Sequence, residues 1–130
     1  METGIEKIAA KARSDAKLKF TSICHHITKE LLLESVKHIP KSSAVGVDGI
    51  NVEQAEEDFE IWSNKMLQAI YNQGYKAPPT RRVWIPKPGK IEKRPIAVPC
   101  IADRALQRSA SKVLSAIWEQ DFLSCSFGGR

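Results

Sequence analysis

Residues 81–99 read RRVWIPKPGKIEKRPIAVP. Two runs, RRVWIP and RPIAVP, alternate at the two-residue period of a strand, and KPGKIEK between them supplies Pro88 and Gly89 for a turn. The stretch is therefore expected to be a β-hairpin. Pro86, Pro95 and Pro99 have no N–H to give to a ladder, so they belong at strand ends or outward-facing edge positions. From Lys76 to Pro99 the hairpin and its lead-in are also strongly basic. Lys76, Arg81, Arg82, Lys87, Lys90, Lys93 and Arg94 stand against a single acid, Glu92. Like charges this dense repel one another unless an anion lies close. Phosphate fits, since arginine holds it bidentately and lysine as a point charge. From charge alone, a solvated basic surface is the competing reading.

The flanks read as helices. After the hairpin, a helix is expected from Ile101 to about Gln120, with Ala105, Leu106, Ala110, Val113, Leu114, Ile117 and Trp118 on one face. Before it, Ala55, Phe59, Trp62, Met66 and Ile70 mark the inward stripe of a helix opened by an Asn51/Gln54 capping box. Gly74 stands where a C-terminal glycine is expected. Thr28 is placed to cap KELLLESVKHI, with Leu31, Leu32 and Val36 inward and Pro40 beyond its end. Ile5, Ile8, Ala9 and Ala12 share a stripe in a short first helix, while Phe20, Ile23 and Ile27 continue the spacing through a turn or second short helix. Residues 41–50 read as a Ser- and Gly-containing loop. The fold class expected is α+β, mostly helical with one small antiparallel hairpin.

The chain has 130 residues, 42% of them hydrophobic, which excludes wholesale disorder. Twenty basic against fifteen acidic residues give a net charge of +5, which favours anionic partners. No apolar run approaches the roughly 20 residues that span a bilayer, and METGIEKIAAKARSD lacks a signal-peptide core. A cytoplasmic protein without a membrane partner is expected. Cys24, Cys100 and Cys125 are odd in number and lack CxxC spacing, so reduced thiols are expected. Cys24, His25 and His26 are adjacent, with no second cluster at zinc spacing, and no metal site is assigned to them.

Five segments together carry a resemblance: ARSDAKLKFTSICHHI (12–27), GVDGI (46–50), YKAPPTRRVWIPKPGK (75–90), KRPIAVPCIADRALQ (93–107) and FLSCSFGGR (122–130). In this order they resemble the N-terminal part of bacterial group II intron reverse transcriptases, the intron-encoded maturases. The resemblance implies an N-terminal helical extension at 1–40 and the fingers subdomain at 41–130. Palm, thumb and later domains have no counterpart. It also implies that the basic hairpin closes over the incoming nucleotide and touches the template. By the match at IPK and RP, Lys87 and Arg94 are the residues expected to reach the triphosphate. Arg81, Arg82, Lys90 and Lys93, with Ile96, Val98, Pro99, Asp103 and Arg104, are expected to lie along nucleic acid. The expected partners are intron or template RNA, template-primer and dNTP.

The paired metal-binding aspartates of the family lie in the palm. No catalytic or metal residue is therefore expected here, and this chain alone should not polymerise. It needs no cofactor of its own, with Mg2+ belonging to the full-length enzyme. Three departures stand out. The turn PGKIEK is about a residue longer than the usual form, Cys100 replaces a helix-capping threonine, and Gly129 replaces an aromatic ring. A stand-alone nucleic-acid-binding or assembly module derived from such an enzyme is the alternative. A homodimer is expected, through the apolar stripe of the last helix or the hairpin edge, the alternative being that the N-terminal helices fold back over the stripe.

Overall fold

The core is built where α5 (Ile101–Trp118) lies against α1 (Gly4–Ser14) and α2 (Lys29–Lys37). The computed structural model describes residues 3–128, so Gly129, the site of the third departure, lies outside them. A single 3-10 turn at Cys24–His26 leads into α2. Then come α3 (Val52–Glu57), α4 (Phe59–Tyr71), the antiparallel strands β1 (Arg81–Pro86) and β2 (Lys93–Val98), and α5. This is the α+β architecture expected, with five helices and one two-stranded sheet among the described residues. None of its helices is long and apolar enough to cross a membrane.

Local chemistry sets the helix starts. The Thr28 side chain accepts from Leu31 N–H, and Asn51 and Gln54 form the reciprocal capping box. Thr3 and Glu6 form another at α1, a signal available in TGIE but not read from it.

Two apolar clusters fill the interior. Ile8, Ile27, Leu31, Leu32, Phe59, Met66 and Val113 form one. Val36, Ile39, Val52, Ala55, Ile101 and Ala105 form the other, and Trp62 packs against both.

The helix expected over residues 51–74 is broken in two at Asp58, which ends α3 and precedes Phe59. Tertiary packing makes the break. The Trp62 indole donates to the Ala55 carbonyl at 2.7 Å while its ring meets Phe59 edge-on at 5.1 Å. At the other end of α4 the expected glycine is one position late. Gln73 N–H donates to Ile70 O and Gly74 N–H to Ala69 O, the bond pair of a Schellman cap, which puts Gln73 at φ +56. A left-handed conformation strains a residue carrying Cβ. Gln73→Gly is therefore expected to stabilise the chain by about 0.5–1 kcal/mol, read as a raised urea midpoint at unchanged m.

The inward face of α5 is rotated from the expected stripe. Ile101, Ala105, Ser109 and Val113 are buried at four-residue spacing, while Leu114 and Trp118 are 43% and 55% exposed. Serine made this face hard to read. The Ser109 hydroxyl is hydrogen-bonded to its own Ala105 carbonyl and to Ser35, each at 2.9 Å, so two small, satisfied side chains let α2 and α5 meet closely. Lys112 pairs with Glu34 across the same interface.

Candidate nucleic-acid and nucleotide interface

The register of the hairpin decides what its side chains can do. Arg81 pairs with Val98, Arg82 with Ala97, Val83 with Ile96, Trp84 with Pro95, Ile85 with Arg94 and Pro86 with Lys93. The next rung is closed by Lys87 N–H donating to Glu92 O at 3.2 Å. Counting back by two, Ile85/Arg94, Val83/Ile96 and Arg81/Val98 are hydrogen-bonded rungs. Trp84/Pro95 and Pro86/Lys93 fall between them. Pro86 and Pro95 therefore point their missing N–H outward, where no ladder bond is lost, and they blunt both strand edges. Pro95 occupies the middle of β2 without disrupting it.

Strand alternation then sorts the candidate residues into two faces. Arg81, Val83, Ile85 and Lys87 share one face with Arg94, Ile96 and Val98. Lys87 and Arg94 are diagonal neighbours there, a separation of about 7–8 Å between such positions, within reach of two long cationic side chains. Glu92 lies beside them. Its carboxylate is 3.3 Å from Lys87 Nζ, so an internal anion already pairs with one of the two cations. Arg82 and Lys93 lie on the opposite face with Trp84. Lys90 stands at the turn beside Gly89, which adopts φ +72. The sequence placed all these cations in one hairpin, but only the register divides them.

At the base, the hairpin is tied to the helical body by polar contacts. Arg81 Nε donates to Val45 O at 3.0 Å. The Tyr75 hydroxyl donates to Asp103 Oδ1 at 2.6 Å, and Gln107 Nε2 donates to Asp103 Oδ2 at 2.8 Å. Burial, then the hydrogen bond to Asp103, pushes the Tyr75 hydroxyl well above its ordinary pKa, keeping it a donor. Asp103 is only 6% exposed and both its oxygens are engaged, so it fastens the segment before β1 to the first turn of α5. Arg104, one residue on, is half-buried, as are Val98 and Pro99.

Cys100 begins α5 with no side-chain cap, as expected of cysteine. It is buried against the loop that carries Gly46 and Asp48. Burial pushes the thiol up, so it stays neutral. The approach is close enough to require glycine at 46, because a Cβ there would sit 2.6 Å from Cys100 Cα.

No family model matches the chain. It is 32% identical over 129 residues to protein YkfC of Escherichia coli K12, covering 95% of this chain and 33% of that protein. It is 22% identical over 127 residues to the group II intron-encoded protein LtrA of Lactococcus lactis subsp. cremoris, covering 97% of this chain and 21% of LtrA. The chain thus spans a fifth to a third of the length of these curated relatives. The likeness to LtrA, distant but extending over almost all of this chain, supports a relation to the group II intron-encoded proteins.

Proposed function

We propose that the chain is the N-terminal extension (1–40) and fingers region (41–130) of an RNA-directed DNA polymerase of the group II intron type. Its part is to hold template RNA and the incoming nucleotide. The observation that carries this reading is that the register places Lys87 and Arg94 as diagonal neighbours on one hairpin face, in a chain related to LtrA. The two cations neutralise the triphosphate and keep it in line while the chemistry proceeds elsewhere. Ile96, Val98 and Pro99 run from that face toward α5, where Arg104 extends the track for the template. Asp103 serves as the fastener beneath it. The Mg2+ of a complete polymerase would be held by the carboxylates of its palm. A two-fold dimer would use the exposed Leu114 and Trp118 sooner than the hairpin, each of whose edges is blunted by a proline.

The test is salt-dependent binding of a structured RNA by this chain. With three to five phosphates neutralised, log affinity is expected to fall against log salt with a slope of about −3 to −4. Replacing Arg81, Arg82 and Lys87 together by alanine should flatten the slope by roughly two to three units. An unchanged slope would show that the hairpin is merely a hydrated surface.

A further inference from the structure

The second face of the hairpin is not used by the nucleotide reading. Arg82, Trp84 and Pro86 of β1 lie on it with Lys93, Pro95 and Ala97 of β2. Trp84 is 53% exposed there. Tryptophan is among the costliest side chains to leave in water, and Trp62, by contrast, is packed and partly buried. Trp62 spends its N–H on a backbone carbonyl and packs against both core clusters.

Trp84 is also held in place. It pairs with Pro95 across a rung without hydrogen bonds, where side chains approach most closely. The Arg82 guanidinium lies 5.9 Å from its ring centroid. The hairpin's one acid, Glu92, pairs with Lys87 on the opposite face, so this face carries Arg82 and Lys93 with no opposing carboxylate.

A braced, half-exposed indole between two cations matches the chemistry of an unpaired nucleotide, in which a flat base is flanked by phosphates. We propose that this face is a stacking platform for single-stranded nucleic acid, with Trp84 taking a base and Arg82 and Lys93 the neighbouring phosphates. Every base presents a π-face, so such a platform tolerates sequence, and binding strength follows stacking. A protein partner fits less well, because Trp84 is the one large apolar side chain on a face it shares with two cations, two prolines and Ala97, a small apolar area for an interface hot spot. The proposal deepens the nucleic-acid reading above and rests on it for the class of ligand, but it concerns the opposite face of the hairpin, and its stacking contact at Trp84 is one that salt does not govern.

That difference makes the two separable. An oligoadenylate of about 12 nucleotides is titrated into the 130-residue chain and into Trp84→Ala and Trp84→Phe, across a range of salt. Trp84→Ala should weaken binding by about 5- to 150-fold with an unchanged salt slope, and Trp84→Phe should retain most of the affinity. Replacing only Arg81 and Lys87, which lie on the other face, does the reverse, changing the slope. Failure of the general reading appears as an insensitive slope in that variant, whereas failure of this one appears as an affinity indifferent to Trp84.

A second readout needs no change at position 84. In a Trp118→Phe background, oligoadenylate should quench the indole emission, and inorganic polyphosphate, which has charge but no bases, should leave it unchanged. Equal quenching by both, or none by either, would overturn the platform. So would equal losses of affinity for oligoadenylate and polyphosphate in Trp84→Ala.

Discussion

Replacing Gly46 by alanine is expected to destabilise the chain by about 2–4 kcal/mol, lowering its melting temperature by roughly 10 °C. The added methyl would meet Cys100 at 2.6 Å from Cα, 2.7 Å from the backbone nitrogen and 3.0 Å from Sγ. Two of these are backbone atoms at the start of α5, and they cannot swing away as the tip of a side chain would. Relief requires separating the loop from the helix, which uncovers the buried Cys100. Ile101, completely buried beside it, would loosen as well. Gly49→Ala is the control. Gly49 has φ +69, but its added methyl would meet open space, so only the backbone strain of about 1 kcal/mol applies. Urea unfolding of both variants decides the matter. Equal losses would mean that conformation, not close approach, is what glycine supplies in this loop.

The second large effect concerns Lys87 and Arg94. In a complete polymerase carrying this segment, Lys87→Ala or Arg94→Ala is expected to lower kcat/KM for the nucleotide by roughly 10- to 150-fold. That is the loss of one charge-assisted phosphate contact worth about 1.5–3 kcal/mol. Template-primer affinity should change little, because the other cations remain. Glu92 refines the expectation. Its carboxylate pairs with Lys87 in the free chain, so a triphosphate must displace it before Lys87 is available. An exposed pair of this kind is worth about 1 kcal/mol or less, so Glu92→Gln should improve nucleotide binding by up to about 5-fold. Single-turnover kinetics on the three variants separate binding from chemistry. Ordinary nucleotide kinetics in both Lys87→Ala and Arg94→Ala would rule out the triphosphate role.

What could be read from the sequence was local, and what was missed depends on tertiary contact. Thr28, and Asn51 with Gln54, act within one turn of chain, so their caps were legible from spacing alone. The prolines framed the hairpin for the same reason. Asp58 carries no breaker signal, because the break there depends on an indole reaching back seven residues to Ala55. Ser35 and Ser109 look like surface residues until their hydroxyls are seen to satisfy each other inside the α2/α5 contact. At the site, the basic character of the hairpin was legible, but its division into a Lys87/Arg94 face and an Arg82/Trp84 face was not used. Strand parity alone would have separated Trp84 from Ile85 and placed it with Arg82. Asp103 was read as lining a template, and only the fold shows Tyr75 and Gln107 occupying its oxygens.

The packing of α1 on α5 has a consequence for the order in which the chain acquires structure. Between Ser14, the end of α1, and Ile101, the start of α5, lie 86 residues. An 11-residue helix is marginal in water without a partner, so α1 has little reason to persist alone. At about 5–20 residues per second, a ribosome would need roughly 5–20 s to finish α5 after α1 is made. During that interval Ile5 and Ile8 travel in a segment that also carries Glu6, Lys7, Lys11 and Arg13, charges that hinder association with other nascent chains. The hairpin, with its near-neighbour pairing, is free to form within microseconds of emerging. Synthesis thus runs from one end to the other, while the core closes only when the last helix described here reaches back to the first.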